Sequence, residues 1–203
     1  EGEKIFLPEF IDLRQRCPEA LARLLDDVVP LLGPDDELVV VDGGSRDGTF
    51  EVAQAAVAMA RGVGANVTLT DAIALGHDCG HGPGGHASEQ AFDAFLPEGF
   101  DHGPWGSDVS LEPLNLCAET LDGIRNHSWS RPTPSTVEGE IVSFSDRIAY
   151  CAHDLEDAIH AGIVTVDDLP PEVREVAGED RRTQLSRFIR SVIATTCRTG
   201  GVG

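Results

Sequence analysis

Apolar residues in the stretch "GEIVSFSDRIAYCAHDLEDAIHAG" fall at Ile141, Phe144, Ile148, Ala152, Leu155 and Ile159, in steps of three and four. That interval follows the turn of an α-helix, about 3.6 residues, so the pattern predicts one long helix over 136–161 with a single packing face. The same reading predicts helices over 49–61, 69–79, 86–95, 109–122, 167–176 and 180–197, separated by Gly and Pro clusters such as "HGPGG", "LPEGFDHGPWG" and "SRPTP". Residues 1–48 read differently. "EKIFLPEF" and "DELVVVD" have the composition of short strands, and "PEALARLLDDVVPLL" between them has helical periodicity with Pro18 near its start. The expected fold is therefore mainly α. An atypical N-terminal segment over 1–48, ordered strand, helix, strand, precedes a helical domain over 49–203, with no internal repeat.

Charge narrows the range of partners. The 203 residues carry a formal net charge of -20, from 35 acidic against 15 basic side chains, so their field repels a nucleic-acid backbone or an anionic membrane. An anionic substrate would need local help from metal ions or clustered arginines. No apolar run reaches the roughly 18 residues of a membrane span, and no signal peptide is recognised. Cys17, Cys79, Cys117, Cys151 and Cys197 are scattered, odd in number and free of any C-x-x-C pair, which predicts reduced thiols in a cytoplasmic protein.

The stretch "AIALGHDCGHGPGGH" then changes the picture, because it puts His77, Asp78, His81 and His86 among glycines that let a loop approach closely. An imidazole next to a carboxylate is a mixed donor pair suited to Mn, Fe, Zn or Ni. The alternative is a hydrogen-bonded core histidine followed by a capping aspartate; a His-Asp dipeptide alone does not choose between them. The long downstream helix carries a second stripe, Asp146, Tyr150, His153 and Asp157, with Asp154 beside it. This stripe is either a solvated acidic face or the source of a further carboxylate for a metal held by His77 and Asp78.

"TDAIALGHDCGHGPGGHASEQAFD", "GFDHGPWGSDVSL", "DGIRNHSW", "PSTVEGEIVSFSDRIAYCAHDLEDAIHAGIV" and "DLPPEV" together resemble the deoxynucleoside triphosphate triphosphohydrolases, the dGTPase-like proteins of the HD-domain superfamily, over about residues 49–195. The resemblance implies an HD-type helical bundle and a divalent metal (Mn, Fe, Zn, Ni, Co or Mg) held by His77, Asp78 and Asp146. It implies that His81, His86 and His102 line a catalytic pocket, with Glu89 orienting one of them. Arg46, Arg147 and Tyr150 would face the phosphates and sugar, and Asp154 the ribose 3′-hydroxyl. The implied reaction is hydrolysis of a deoxynucleoside triphosphate such as dGTP to deoxynucleoside and triphosphate, in a chain that, like its relatives, assembles into homo-oligomers.

The sequence departs from that family's pattern in three places. The first metal histidine belongs just before Thr49, where this chain has Gly48, and Arg46 sits one residue out of register. "GPGG" after His81 and "GPWG" after His102 replace the usual continuations. Water, His81 or His153 could fill the missing ligand position. Residues 18–54 resemble the opening of a family-2 glycosyltransferase, with Asp42 and Asp47 as its acidic residues. Two further readings thus stand beside the hydrolase: a non-catalytic nucleotide-binding or regulatory HD-domain protein, and a glycosyltransferase fragment. His127 in "IRNHSW" is read as equally structural or pocket-lining, and Trp105 and Trp129 as packing anchors.

Overall fold

The computed structural model describes residues 49–83, 85–97 and 99–203. Within them the chain forms eight α-helices and no strand: α1 (Thr49–Val63), α2 (Val67–Gly76), α3 (His86–Asp93), α4 (His102–Trp105), α5 (Ala118–Asn126), α6 (Val137–His160), α7 (Pro171–Ala177) and α8 (Arg181–Thr199). The two strands, Arg46 and the glycosyltransferase-like loop expected before Thr49 all lie outside the described residues. Residues 49–54 open α1, which makes the tail of that likeness part of the helical domain.

The core sits where α1, α2, α5, α6 and α8 meet, and its centre is Met59, Ile73, Ala74, Ile124, Ile141, Val142 and Ile148, with Val192 from α8. Burying an Ile or Met of this kind contributes about 1.5–3 kcal/mol each, which makes the α6 stripe the main anchor of the bundle. Ile141, Ile148 and Ala152 are buried as the periodicity demands. Leu155 and Ile159, further along, are only partly covered. Small residues allow the close helix contacts: a Cβ on Gly123 of α5 would press into Ile73 of α2.

The helix expected over 167–176 begins only at Pro171, after a tight turn over Val166–Asp168, and two other helices depart further from the sequence expectation. The helix expected over 69–79 starts earlier, because the Asn66 side chain caps it by accepting hydrogen bonds from Thr68 N and Leu69 N at 3.1 and 3.2 Å. It also stops at Gly76, and residues 77–80 turn away from the helix. The helix expected over 109–122 is displaced. A wide turn over Gly106–Ser110 and a tight one over Glu112–Leu114 come first, and α5 begins only at Ala118. Pro113 brings no N–H to a helix and Asn115 adopts the left-handed conformation at φ 49°, so a continuous helix cannot pass through them.

Candidate metal centre

The end of α2 delivers the first two side chains. His77 is fully buried, and its Nδ1 donates to the Ala74 carbonyl at 2.7 Å, which leaves Nε2 as the nitrogen aimed outward from the helix end. That Nε2 lies 3.1 Å from Asp78 Oδ2 and 3.8 Å from Asp146 Oδ1 on α6. Both approaches are those of an ion pair, but neither has hydrogen-bond geometry, so Nε2 is buried without a hydrogen-bond partner. The backbone of residues 102–106 can approach this turn because residue 80 is glycine: a Cβ there would overlap the His102 carbonyl and the Gly106 amide.

Four more imidazoles and one acid lie on the other side of Asp78. Its Oδ1 stands 3.4 Å from His81 Nε2, 3.6 Å from His102 Nε2 and 3.9 Å from His127 Nε2. His102 opens α4, which Asp101 caps through the Gly103 amide, and its Nδ1 donates to Glu89 Oε1 of α3 at 2.5 Å. His81 stacks on the His102 ring at 3.9 Å between centroids, with His86, exposed at the start of α3, edge-on to His81 at 4.4 Å. Among the described residues, two sets have all donor atoms within 4.8 Å of one another: His81, His86 and His102, and Asp78, His102 and His127.

The electrostatics follow from burial and these neighbours. Burial works against a charged His77, yet the carboxylate of Asp78 and that of Asp146 raise it to about 9. Burial alone would push the Asp78 carboxyl up; His77 and His81 override it and hold it well below the usual range. Asp146 is raised, first by burial and further by the like charge of Asp78, although His77 pulls it back. His127 is depressed to about 3 by burial and by the charge of His77, and His102 is lowered by burial and by His81. The site thus juxtaposes a firmly ionised carboxylate, a second carboxylate under repulsion and two imidazoles, His102 and His127, whose neutral form is favoured. A divalent cation fits that donor chemistry: a buried nitrogen without a hydrogen-bond partner faces two carboxylates, and nitrogen mixed with oxygen suits Mn, Fe, Co, Ni or Zn better than Mg.

The sequence-derived residues are therefore brought together in large part. His77, Asp78, Asp146, His81, His86, His102 and Glu89 form one cluster of neighbouring side chains. Tyr150 and Asp154 follow Asp146 at intervals of four on α6 and are exposed. Arg147 is exposed, with its guanidinium 4.5 Å over the Trp129 ring. His153, considered as a replacement ligand, is instead engaged elsewhere: its Nε2 is 2.8 Å from Glu51 of α1 and its Nδ1 3.3 Å from Arg181 of α8. His127 is the residue undervalued by the sequence. It is 1% exposed and its Nδ1 donates to the Ile124 carbonyl at 2.7 Å. The signal that could have found it is its position three residues after Ile124, on the face of α5 that enters the core.

A helical bundle that sets a His-Asp pair at one helix end against an aspartate on a later long helix defines a class of protein. The HD-domain family pattern matches residues 48–151, just over half of the chain, and the chain belongs to that family. Among individual relatives, the chain is 41% identical over 151 residues to a deoxyguanosinetriphosphate triphosphohydrolase-like protein of Caldanaerobacter subterraneus, an overlap of 71% of this chain and 44% of the relative. Proteins of the same name from Clostridium perfringens and Desulfatibacillum aliphaticivorans are 38% and 39% identical, over 73% and 75% of this chain and 46% and 48% of their own lengths. The chain thus spans less than half the length of these relatives. No helix among the described residues is long and apolar enough to cross a membrane.

Proposed function

We propose that this chain is a metal-dependent phosphohydrolase that cleaves deoxynucleoside triphosphates, dGTP or a close analogue, to deoxynucleoside and triphosphate. The observation that supports this reading most is the buried His77 Nε2, held by Ala74 so that it faces Asp78 and Asp146 with no hydrogen-bond partner of its own. His77, Asp78 and Asp146 would hold a divalent cation, which when bound would supply polarisation of a phosphoryl oxygen and a lowered pKa for bound water.

The other residues bind, orient and move protons. Glu89 accepts from His102 Nδ1 and so fixes which nitrogen of that ring carries a free electron pair toward Asp78. His81, stacked on His102, and the exposed His86, edge-on to His81, are placed to exchange protons with the attacking water and the departing oxygen. Arg147 contributes positive field to a chain of net charge -20, where a triphosphate would otherwise be repelled. Tyr150 and Asp154 extend from Asp146 along the exposed side of α6 as the surface that meets the sugar. A hydroxyl paired with Asp154 would be discriminated from its absence by a large factor.

The test is release of inorganic triphosphate from dGTP by the purified chain with Mn, Co or Mg added, followed by ion-exchange chromatography. Triphosphate that appears with metal and disappears on chelation supports the proposal; no turnover with any of the three removes it. A second reading, a nucleotide-binding protein without turnover, is favoured by Gly48 standing where the resemblance requires the first metal histidine. It predicts dNTP-dependent thermal stabilisation without hydrolysis, and a gain of hydrolysis in Gly48→His would count against it.

A further inference from the structure

The long helix α6 is held in two different ways along its length. Up to Ala152 its inward side chains are buried, whereas none of those from His153 to His160 is. Tyr150 and Asp154 straddle that change, both exposed. The last turns are tied down by polar groups instead. The Arg181 guanidinium, on the first residue of α8, reaches Glu156 Oε2 and Glu51 Oε1 with its two terminal nitrogens, each at 3.0 Å. Its Nη1 also donates to His153 Nδ1 at 3.3 Å. A guanidinium only donates, so that imidazole is neutral with its proton on Nε2. Nε2 in turn faces Glu51 Oε2 at 2.8 Å, both atoms shut off from solvent and with no hydrogen bond of their own. One arginine of α8 thus joins the start of α1 to two adjacent turns of α6. Isolated exposed pairs contribute little, but removing one member of this shared set leaves shielded polar atoms alone, which costs more.

We propose that His153 is a positioning residue for the substrate: through Arg181 and Glu51 it fixes the last turns of α6, so that Tyr150 and Asp154 meet the sugar in one place. The inference rests on the proposed function, in which that side of α6 meets the sugar. His153 directly precedes Asp154, and on a helix the two side chains leave the axis about 100° apart. One is directed to α1 and α8, the other to solvent. Without the tether, only the partly covered Leu155 and Ile159 hold this stretch, and a segment with few buried apolar contacts opens locally at little cost. Misplacement by about 1 Å is enough to cost on the order of 100-fold where a reaction depends on orientation. Asp146 lies about two turns earlier, in the part of α6 that the core holds. The tether therefore acts on the sugar contacts and not on the cation, and its loss should blunt the recognition of a hydroxyl by Asp154.

The test compares dGTP with its 2′,3′-dideoxy analogue, which lacks the 3′-hydroxyl, on the full chain with Mn, in the wild type, His153→Ala, His153→Gln and Arg181→Ala. Either alanine variant should raise KM for dGTP about tenfold and shrink the preference for dGTP over the analogue by a similar factor. In both, kcat and Mn uptake should change by less than about twofold. The double variant should do no more than either single one, because both act through one contact. A glutamine amide offers an acceptor and a donor as the neutral imidazole does, so His153→Gln should stay within about threefold of the wild type. A lower melting temperature with KM and the preference unchanged makes His153 a stabilising residue only and overturns the inference. The ¹⁵N shifts of the His153 ring in the wild type check the tether without any variant: a neutral ring with its proton on Nδ1 overturns it. If the wild type does not hydrolyse dGTP, the proposed reaction falls, and the preference is read as binding by calorimetry. A preference that His153→Ala abolishes then keeps the positioning role, and equal binding of the two nucleotides by the wild type removes it.

Discussion

A proton and a metal ion compete for the same nitrogen in this site, and the competition can be measured. His77 Nε2 is the atom that would bind the cation, and its pKa in the metal-free protein is raised to about 9 by Asp78 and Asp146. At pH 7 that nitrogen is therefore protonated in nearly every molecule, and the cation must displace the proton. The gap between about 9 and 7 is about two units, which weakens apparent metal affinity on the order of 100-fold relative to alkaline pH. The assay is Mn competition with a fluorescent chelator across pH 6.5 to 10, correcting for the chelator's own protonation. The logarithm of the affinity should rise by about one per pH unit below 9 and flatten above it. Affinity independent of pH over 7 to 9 would refute the assignment of His77 Nε2 as a ligand. The same raised pKa has a consequence for the metal-free fold, because a histidine raised on folding stabilises the protein fully below its unfolded pKa near 6.5. That contribution is lost as pH climbs through about 9.

Ile124→Ala removes a side chain with no exposed surface in the core beneath the site, and should lower unfolding free energy by about 2–5 kcal/mol in urea denaturation; a change under about 1 kcal/mol would mean the bundle is not packed as described. Gly80→Ala puts a methyl into the His102 carbonyl, so it should cost about 1–3 kcal/mol of stability and reduce Mn uptake, read by calorimetry, while a variant that binds Mn normally would show that the 77–80 turn does not position Asp78. Tyr150→Phe and Asp154→Asn alter exposed side chains, so melting should move little, within about 0.5 kcal/mol, whereas KM for dGTP should rise several-fold; unchanged kinetics would remove the α6 surface from the substrate site.

The parts of this structure that announce themselves in the sequence are those set by short-range pattern. The 3.6-residue stripe of α6 marks its helix, with Asp146 outside that stripe, and the His-Asp dipeptide marks the end of α2. The segment over 109–122 has apolar positions at helical spacing, but Pro113 and the left-handed Asn115 decide its backbone. Asn66 was overlooked as a cap because its hydrogen bonds depend on one backbone turn rather than on periodicity. His127 and His153 show the remaining limit. Whether a lone histidine meets Asp78 or meets Glu51 is settled by how α5, α1 and α8 pack, which no local spacing encodes.

The most direct measurement is anomalous X-ray scattering from a crystal of the chain grown with saturating Mn and collected on both sides of the Mn absorption edge. A peak within about 2.0–2.2 Å of His77 Nε2 and of an oxygen from each of Asp78 and Asp146 is the predicted result. An absent peak, or one that leaves His77 Nε2 unligated, would contradict it.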